Sequence, residues 1–431
     1  MNSLMTIITN LPFFLLLLCI AFLPLVHEKW WEKNLNKAAV VAIFSTISIY
    51  CFFRTSPQTA LHAMHSSVTE LIEFFVLMFS LYIVSGGIVV KGIIKPSPKI
   101  NCIILAIGAL SASFIGTTGA SMLLIHPLLR ANSNRKHNAH TVIFFIFMVS
   151  NIGGCLTPLG DPPLFIGYLK GIPFLWDLNL FWQWLIINST LLAIYYMWDV
   201  RIYLHRDFLR GHLILKNRDI KVRGKRNFIW VGLIICCIAF LTPNNTASLH
   251  LPHFFREMLI LTIAFLSFFT TDREFREENQ FCFSPIVEVG ILFTGIFLCM
   301  PPVLQTLQNN AGLLPLNQAW QYFWTTGFLS SFLDNTPTYA VFFELAASGS
   351  VSDKYGQMVA ASNIPFDILR AISAGSVFMG AFTYIGNGPN LMVKAIAEKD
   401  GIRMPGFFGY MCYSIPLLLP IFAVISLVWF R

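Results

Sequence analysis

Two stretches, half a chain apart, interrupt a membrane-length apolar run in the same way. The first is Gly154-Cys155-Leu156-Thr157-Pro158-Leu159-Gly160-Asp161-Pro162-Pro163, and the second is Gly380-Ala381-Phe382-Thr383-Tyr384-Ile385-Gly386-Asn387-Gly388-Pro389. Aligned without a gap, both read G-x-x-T-x-x-G-[D/N]-x-P, 226 residues apart (383 − 157). Hydrocarbon offers backbone polar groups no partner. Irregular backbone at membrane depth therefore survives only inside protein or beside a water-filled cavity. Two broken spans at matching places in two halves are the pattern of a secondary transporter's binding site.

That reading requires a membrane protein, and the composition supports one. The chain is 56% hydrophobic and only 12% charged, with 41 Phe, whereas soluble domains are about a quarter charged. The whole chain, residues 1–431, reads as a single membrane domain. The net charge of +8 follows a topological layout and does not form a nucleic-acid-binding face. The nine cysteines lie mostly in apolar runs, with no C-x-x-C and no Cys/His metal spacing, and read as packing residues. Met1–Asn10 lacks the basic segment of a signal peptide, so the run from Leu11 to Val26 reads as a retained first span. No H-E-x-x-H, G-x-S-x-G, Walker A or G-x-G-x-x-G motif occurs. The chain thus reads as a non-enzyme, and not as an ATP-driven pump.

Apolar runs long enough to cross a bilayer fall near 10–26, 37–53, 68–90, 140–157 and 180–200, and again near 228–243, 255–271, 284–304, 366–386 and 407–430. Two more, 100–130 and 320–347, are interrupted at Gly116-Thr117-Thr118-Gly119-Ala120-Ser121 and at Asp334-Asn335-Thr336-Pro337-Thr338. Each reads as a re-entrant hairpin. With the basic stretch 201–226 placed in the cytoplasm, all but six of the 29 Lys and Arg (Arg54, Lys170, Arg256, Lys354, Arg370 and Arg431) fall on the cytoplasmic side, as the positive-inside rule demands. The expected fold is all-α and polytopic. It has two inverted repeats, 1–200 and 227–431, joined by a basic linker, 201–226. Each repeat has five crossings, one of them broken, plus one hairpin. The N-terminus is expected outside, and the membrane is expected to be the bacterial inner membrane. Glu73 and Glu288 are expected to begin spans in matching register, and His62 and His65 to lie in a loop.

A broken helix exposes carbonyls on one side and N–H groups on the other. The carbonyl end attracts cations. Thr157, Gly160 and Asp161 in the first break, with Thr383, Gly386, Asn387 and Asn390 in the second, supply oxygen of the hard kind that small cations prefer. Asn151 just before the first break adds an amide. The hairpin tips add Thr117, Thr118 and Ser121 on one side and Asn335, Thr336 and Thr338 on the other. The expected arrangement is two mirrored Na⁺ sites, with Thr118, Thr157 and Asp161 at one and Asn335, Thr383 and Asn387 at the other. The tip hydroxyls and Asp334 also suit ordinary helix capping. For proton exchange the candidate carboxylates are Asp161, Asp334, Glu73 and Glu288. Burial disfavours a carboxylate's charged form, so an acid that holds either a cation or a proton is the least device that exchange needs.

These residues resemble a known family. The doubled hairpin and broken helix are similar to the ion transporter superfamily of NhaD-type Na⁺/H⁺ antiporters, arsenite efflux proteins and citrate or dicarboxylate transporters. Ser150-Asn151-Ile152-Gly153-Gly154 through Asp161-Pro162-Pro163 resembles the G-G-x-x-[S/T]-P-x-G-D stretch of NhaD-like antiporters. Asp334-Asn335-Thr336-Pro337-Thr338 resembles their D-N-x-P-T hairpin. The S-N-T tip of dicarboxylate carriers is absent. The resemblance implies cation-coupled alternating access with no prosthetic cofactor, Na⁺ and H⁺ being cargo. Its partners are then the lipid bilayer and small inorganic cations, with no nucleic acid, and the fold is compatible with a homodimer. Na⁺/H⁺ antiport is the leading expectation. The alternative is a Na⁺- or H⁺-coupled carrier of citrate, a dicarboxylate or another anion, with arsenite efflux ranked below it.

Overall fold

The computed structural model describes residues 3–91, 97–133, 135, 137–203, 221–241, 251–252, 254–279, 281–310, 316–348, 358–359 and 362–431. The first half opens with α1 (Ser3–Val26), α2 (Asn34–Thr55) and α3 (Pro57–Ser85). Next come α4 (Pro98–Ile115) and α5 (Thr117–Ala131), joined through Gly116 alone. α6 (Ala139–Met148) runs into a 3₁₀ turn at Ile152–Leu156, and α7 (Pro162–Leu169) resumes the path. A second 3₁₀ turn, Trp176–Leu180, leads into α8 (Phe181–Ile202).

The second half repeats this order. It has α9 (Arg226–Phe240), α10 (Phe255–Thr270), α11 (Ser284–Cys299) and α12 (Pro301–Asn310), then the pair α13 (Ala319–Phe332) and α14 (Asn335–Ser348). α15 (Phe366–Met379) breaks through a 3₁₀ turn at Gly380–Phe382 into α16 (Gly388–Lys399), and α17 (Phe407–Trp429) closes the chain.

Eight helical segments among the described residues are long and apolar enough to cross a membrane. The strands among them are β1 (Val89–Lys91) and β2 (Lys221–Arg223), antiparallel with Val89 opposite Arg223. This is an all-α polytopic membrane protein. Its outer face carries exposed apolar side chains such as Leu35, Phe269 and Phe408, a surface that lipid covers and water does not tolerate in large patches.

The helices pack as two groups. α1, α2, α3, α9, α10 and α11 pack on one another. The hairpins, the broken helices, α8 and α17 form the second group, which takes equal parts from both halves of the sequence. α3 meets α5 and α7 along the seam, and α12 meets α14. α6 is buried all round, which explains its unbroken apolar run. Near its start, Asp199 of α8 is held by Arg135 at 2.6 Å and His140 at 2.8 Å, all three buried.

Three expectations change. Glu73, His62 and His65 sit inside α3, not at a span start or in a loop. Pro57 at the helix start suits the first turn, and the helix runs for 29 residues, about 44 Å. Hydropathy marks only the lipid-facing part of such a helix. The linker 201–226 ends in β2 and the start of α9, and its residues 204–220 lie outside the described residues. So do Lys95, Lys136 and Lys354.

Candidate functional site

The two breaks are built alike, and the motif explains how. A Cβ on Gly160 would come 2.1 Å from the Gly154 carbonyl oxygen, and one on Gly386 would come 2.6 Å from that of Gly380. The six-residue glycine spacing therefore lets each loop close on itself backbone to backbone. The threonine between the glycines fixes the closed loop to the neighbouring hairpin. Thr157 Oγ1 donates to the Ser113 carbonyl and Thr383 Oγ1 to the Ser331 carbonyl. Ser113 and Ser331 lie in the last turns of α4 and α13, where carbonyls have no intrahelical partner. The serines bond back, Ser113 Oγ to the Gly153 carbonyl at 2.5 Å and Ser331 Oγ to the Met379 carbonyl at 3.0 Å.

Asp161 and Asn387 occupy equivalent places, the extended residue before α7 and before α16. Neither side chain caps its own helix. Both cross the centre of the molecule and meet. Asp161 Oδ1 accepts from Thr117 Oγ1 at 3.1 Å and from Asn387 Nδ2 at 3.2 Å, and its Oδ2 accepts from Asn335 Nδ2 at 2.8 Å. Thr117 comes from the first hairpin tip, Asn335 from the second, and Asn387 from the second break. All four special elements thus converge on one carboxylate, which is 1% exposed.

A ring of amides surrounds this centre. Asn151 Nδ2 donates to Asn390 Oδ1 at 2.7 Å, Asn390 Nδ2 to the Gly380 and Thr383 carbonyls, and Asn387 Nδ2 also to the Ser150 carbonyl. Asn151 Oδ1 is buried without a partner. A Cβ on Gly380 would lie 3.0 Å from that oxygen and 2.3 Å from Asn335 Oδ1, so both amide oxygens turn toward the same glycine. Asn335 Oδ1 and Asn151 Oδ1 are hard amide oxygens at this centre, and the Asp161 carboxylate is bonded to the nitrogen of the same Asn335 amide. Among the described residues no cluster of three His, Cys, Asp or Glu offers a metal site.

The other candidates lie elsewhere. Asp334 is half-buried and accepts from the Thr336 backbone N–H at 3.0 Å, and Thr338 Oγ1 donates to the Asp334 carbonyl. These are capping contacts at the start of α14. Thr118 lines a cavity of about 20 Å³ facing α3 and α11, next to Tyr82 and Ile286. Ser121 pairs with Ser150 at 2.9 Å. Gly160 gives its carbonyl to the Thr117 backbone N–H at 2.8 Å, which seats the first tip on the first break. Gly386 donates its backbone N–H to Thr383 Oγ1. Glu73 lies 3.5 Å from Arg256, and Glu288 2.7 Å from Lys37, so both acids belong to ion pairs of the first helix group. The single centre, with Thr117 at it in place of Thr118, replaces the expected pair of mirrored sites. The reason is that the two breaks touch. Ser113, Ser330 and Ser331 were not legible as site residues. Their signal is a serine three residues before each hairpin turn, ahead of Gly116 and of Asp334.

The arrangement offers a small cation or a proton one buried carboxylate, shared by both breaks and both tips. No curated protein matches the chain. Over residues 2–430 it matches the family described as "Putative citrate transport". The chain belongs to that citrate-transporter-like family of membrane proteins and is a secondary transporter.

Proposed function

We propose that the chain couples transport to a small cation at Asp161 and that its reaction is Na⁺/H⁺ antiport. One observation carries this reading: among the described residues, the carboxylate at which both breaks and both tips meet, Asp161, is hydrogen-bonded by the neutral side chains Thr117, Asn335 and Asn387. A single negative charge among amide and hydroxyl oxygens balances one monovalent cation. It would repel a polycarboxylate.

In the cycle, Na⁺ binds Asp161 Oδ2, Asn335 Oδ1 and Asn151 Oδ1 and displaces the Asp161 proton. When Na⁺ leaves on the other side, Asp161 takes a proton and the site closes again. Burying the carboxylate with neither ion is costly, so the empty, ionised carrier does not return. That forbidden step is what couples the two ions.

The family description favours a second reading, a citrate carrier. Citrate would then need its charge offset by cations that enter with it, and Asp161 would hold one of them. Purified protein in liposomes with an internal pH dye separates the two. Added Na⁺ should move protons with no citrate present. Labelled citrate that accumulates while Na⁺ alone moves no protons would overturn the antiport reading in favour of the carrier.

A further inference from the structure

The short helix that starts after Asp161 ends among charges that the cation cycle leaves unused. α7 runs from Pro162 to Leu169, and Lys170 follows it. It belongs to the second helix group and packs closely on α14: a Cβ on Gly167 would come 2.3 Å from the Tyr339 hydroxyl. The far end of α7 reaches across the seam at two points. Tyr168 donates its hydroxyl proton to the Ile238 carbonyl of α9 at 2.8 Å and accepts from Arg256 Nη1 of α10 at 3.2 Å. Lys170 Nζ lies 4.0 Å from Glu70 of α3. Beside it, Gln308 of α12 donates to Glu344 of α14 at 3.0 Å. Where the first tip meets α3 and α11, by contrast, Met78, Leu81, Ile115, Ile286 and Val289 line the small cavity between them, so the seam there is chiefly apolar.

The distances rank the charged contacts. Each cation has its shortest ion pair inside its own group: Lys170 with Glu344 at 2.6 Å, and Arg256 with Glu257 at 2.6 Å. The contacts that cross the seam are longer, 4.0 Å from Lys170 to Glu70 and 3.2 Å from Arg256 to Tyr168. Taking one partner from a buried charge is strongly destabilising. Parting at this place avoids that cost. Lys170 keeps Glu344, Arg256 keeps Glu257 with Glu73 at 3.5 Å, and Glu70 keeps the Ser66 hydroxyl at 3.4 Å. The Ile238 carbonyl lies in the last turn of α9, where no intrahelical donor reaches it, and water can replace Tyr168 there. A permanent strut would put its best ion pairs across the seam; here they stand on either side of it. We propose that Tyr168 and Lys170 form a latch that holds α7, the helix starting after Asp161, on the first helix group, and that the two groups part at this latch. The latch concerns how the groups separate, so it does not depend on which cargo Asp161 serves.

Ser67 of α3 is 5% exposed and, with Glu70, Lys170 and Glu344, lines a cavity of about 180 Å³ at the latch. Ser67→Cys puts a thiol of nearly the same shape there. Its rate of reaction with a water-soluble maleimide, read by peptide mass spectrometry on the full-length protein in detergent, reports how often the latch is open. The buried Cys155 of the first break is the internal reference. Adding Tyr168→Phe and Glu70→Gln together should speed modification at position 67 about tenfold, the effect of losing one hydrogen bond to a charged group, while Cys155 stays slow. Lys170→Arg, which keeps the charge, should leave the rate near that of Ser67→Cys alone. An unchanged rate at position 67 in the double variant would overturn the latch. So would equal acceleration at position 67 and Cys155, which is general loosening. Should the double variant not fold, the two single variants decide: a faster rate at position 67 in either supports the latch, and no change in both refutes it. No cargo enters this assay, so its failure leaves the Na⁺/H⁺ reading standing, and failure of that reading leaves the latch standing.

Discussion

Asp161→Asn tests the site most directly, and the structure says why it should spare the fold. Three donors converge on the carboxylate, Thr117 Oγ1 and Asn387 Nδ2 on Oδ1 and Asn335 Nδ2 on Oδ2. An Asn at this position keeps one oxygen, enough for the two donors on the Oδ1 side. Its amide nitrogen would then face the Asn335 nitrogen at 2.8 Å, donor against donor, and an unsatisfied buried donor costs about 1–3 kcal/mol. Asn335 can avoid this by turning its amide over. Its oxygen now lies 2.6 Å from Ser330 Oγ, whose single proton has a second acceptor in the Ser376 carbonyl, also at 2.6 Å. The Ser330 hydroxyl can keep its proton on Ser376 and accept from the turned Asn335. The stability loss should therefore stay at or below about 1–3 kcal/mol. Thermal unfolding of the detergent-solubilised protein should shift by a few degrees at most. Na⁺-driven proton movement should vanish, because no group at the centre now takes a proton. Wild-type exchange with an unchanged pH profile would refute the assignment. A variant that does not fold would refute the amide-turning argument.

Thr157→Val and Thr383→Val should each cost about 1–3 kcal/mol through an orphaned hairpin carbonyl, with Thr→Ser at either place largely restoring stability in the same melting assay. Gly160→Ala should damage folding and transport more than Gly386→Ala, since the added Cβ meets a carbonyl oxygen at 2.1 Å in the first case and 2.6 Å in the second; the yield of monodisperse protein reads this. Asp199→Ala leaves Arg135, whose side chain is 2% exposed, without its carboxylate. Removing one partner of a buried pair costs about 3–5 kcal/mol, and Asp199→Asn, which keeps a hydrogen bond, should lose less.

The breaks were readable because glycine spacing, a hydroxyl and a helix-starting proline each leave a residue type in the sequence. What those residues bind was less readable. A threonine that caps a carbonyl and a threonine that holds a cation need the same hydroxyl, so Thr157 and Thr383 read as ligands although both bond hairpin carbonyls. Asp334 posed the same ambiguity, and its carboxylate accepts a backbone N–H. Asp177 and Asp199 escaped notice because a single acid in an apolar run carries no motif, and only folding shows that Asp199 has Arg135 beside it and that Asp177 is buried with no hydrogen-bond partner for its Oδ2 among the described residues.

The inequality of the two breaks follows from their contact. Had the breaks stood apart, each could have kept an acid and served its own cation, which is what the doubled motif suggests. Here Asn387 Nδ2 lies 3.2 Å from Asp161 Oδ1. A second carboxylate at that distance would face the first as a like charge in a buried place, and the pair could ionise only once. An amide there removes the repulsion and donates a hydrogen bond to the surviving acid. The same reasoning applies to the tips, where Thr117 and Asn335 bring donors and no charge. Both breaks and both tips thus share a single charge, because the second break carries Asn387 where the first carries Asp161.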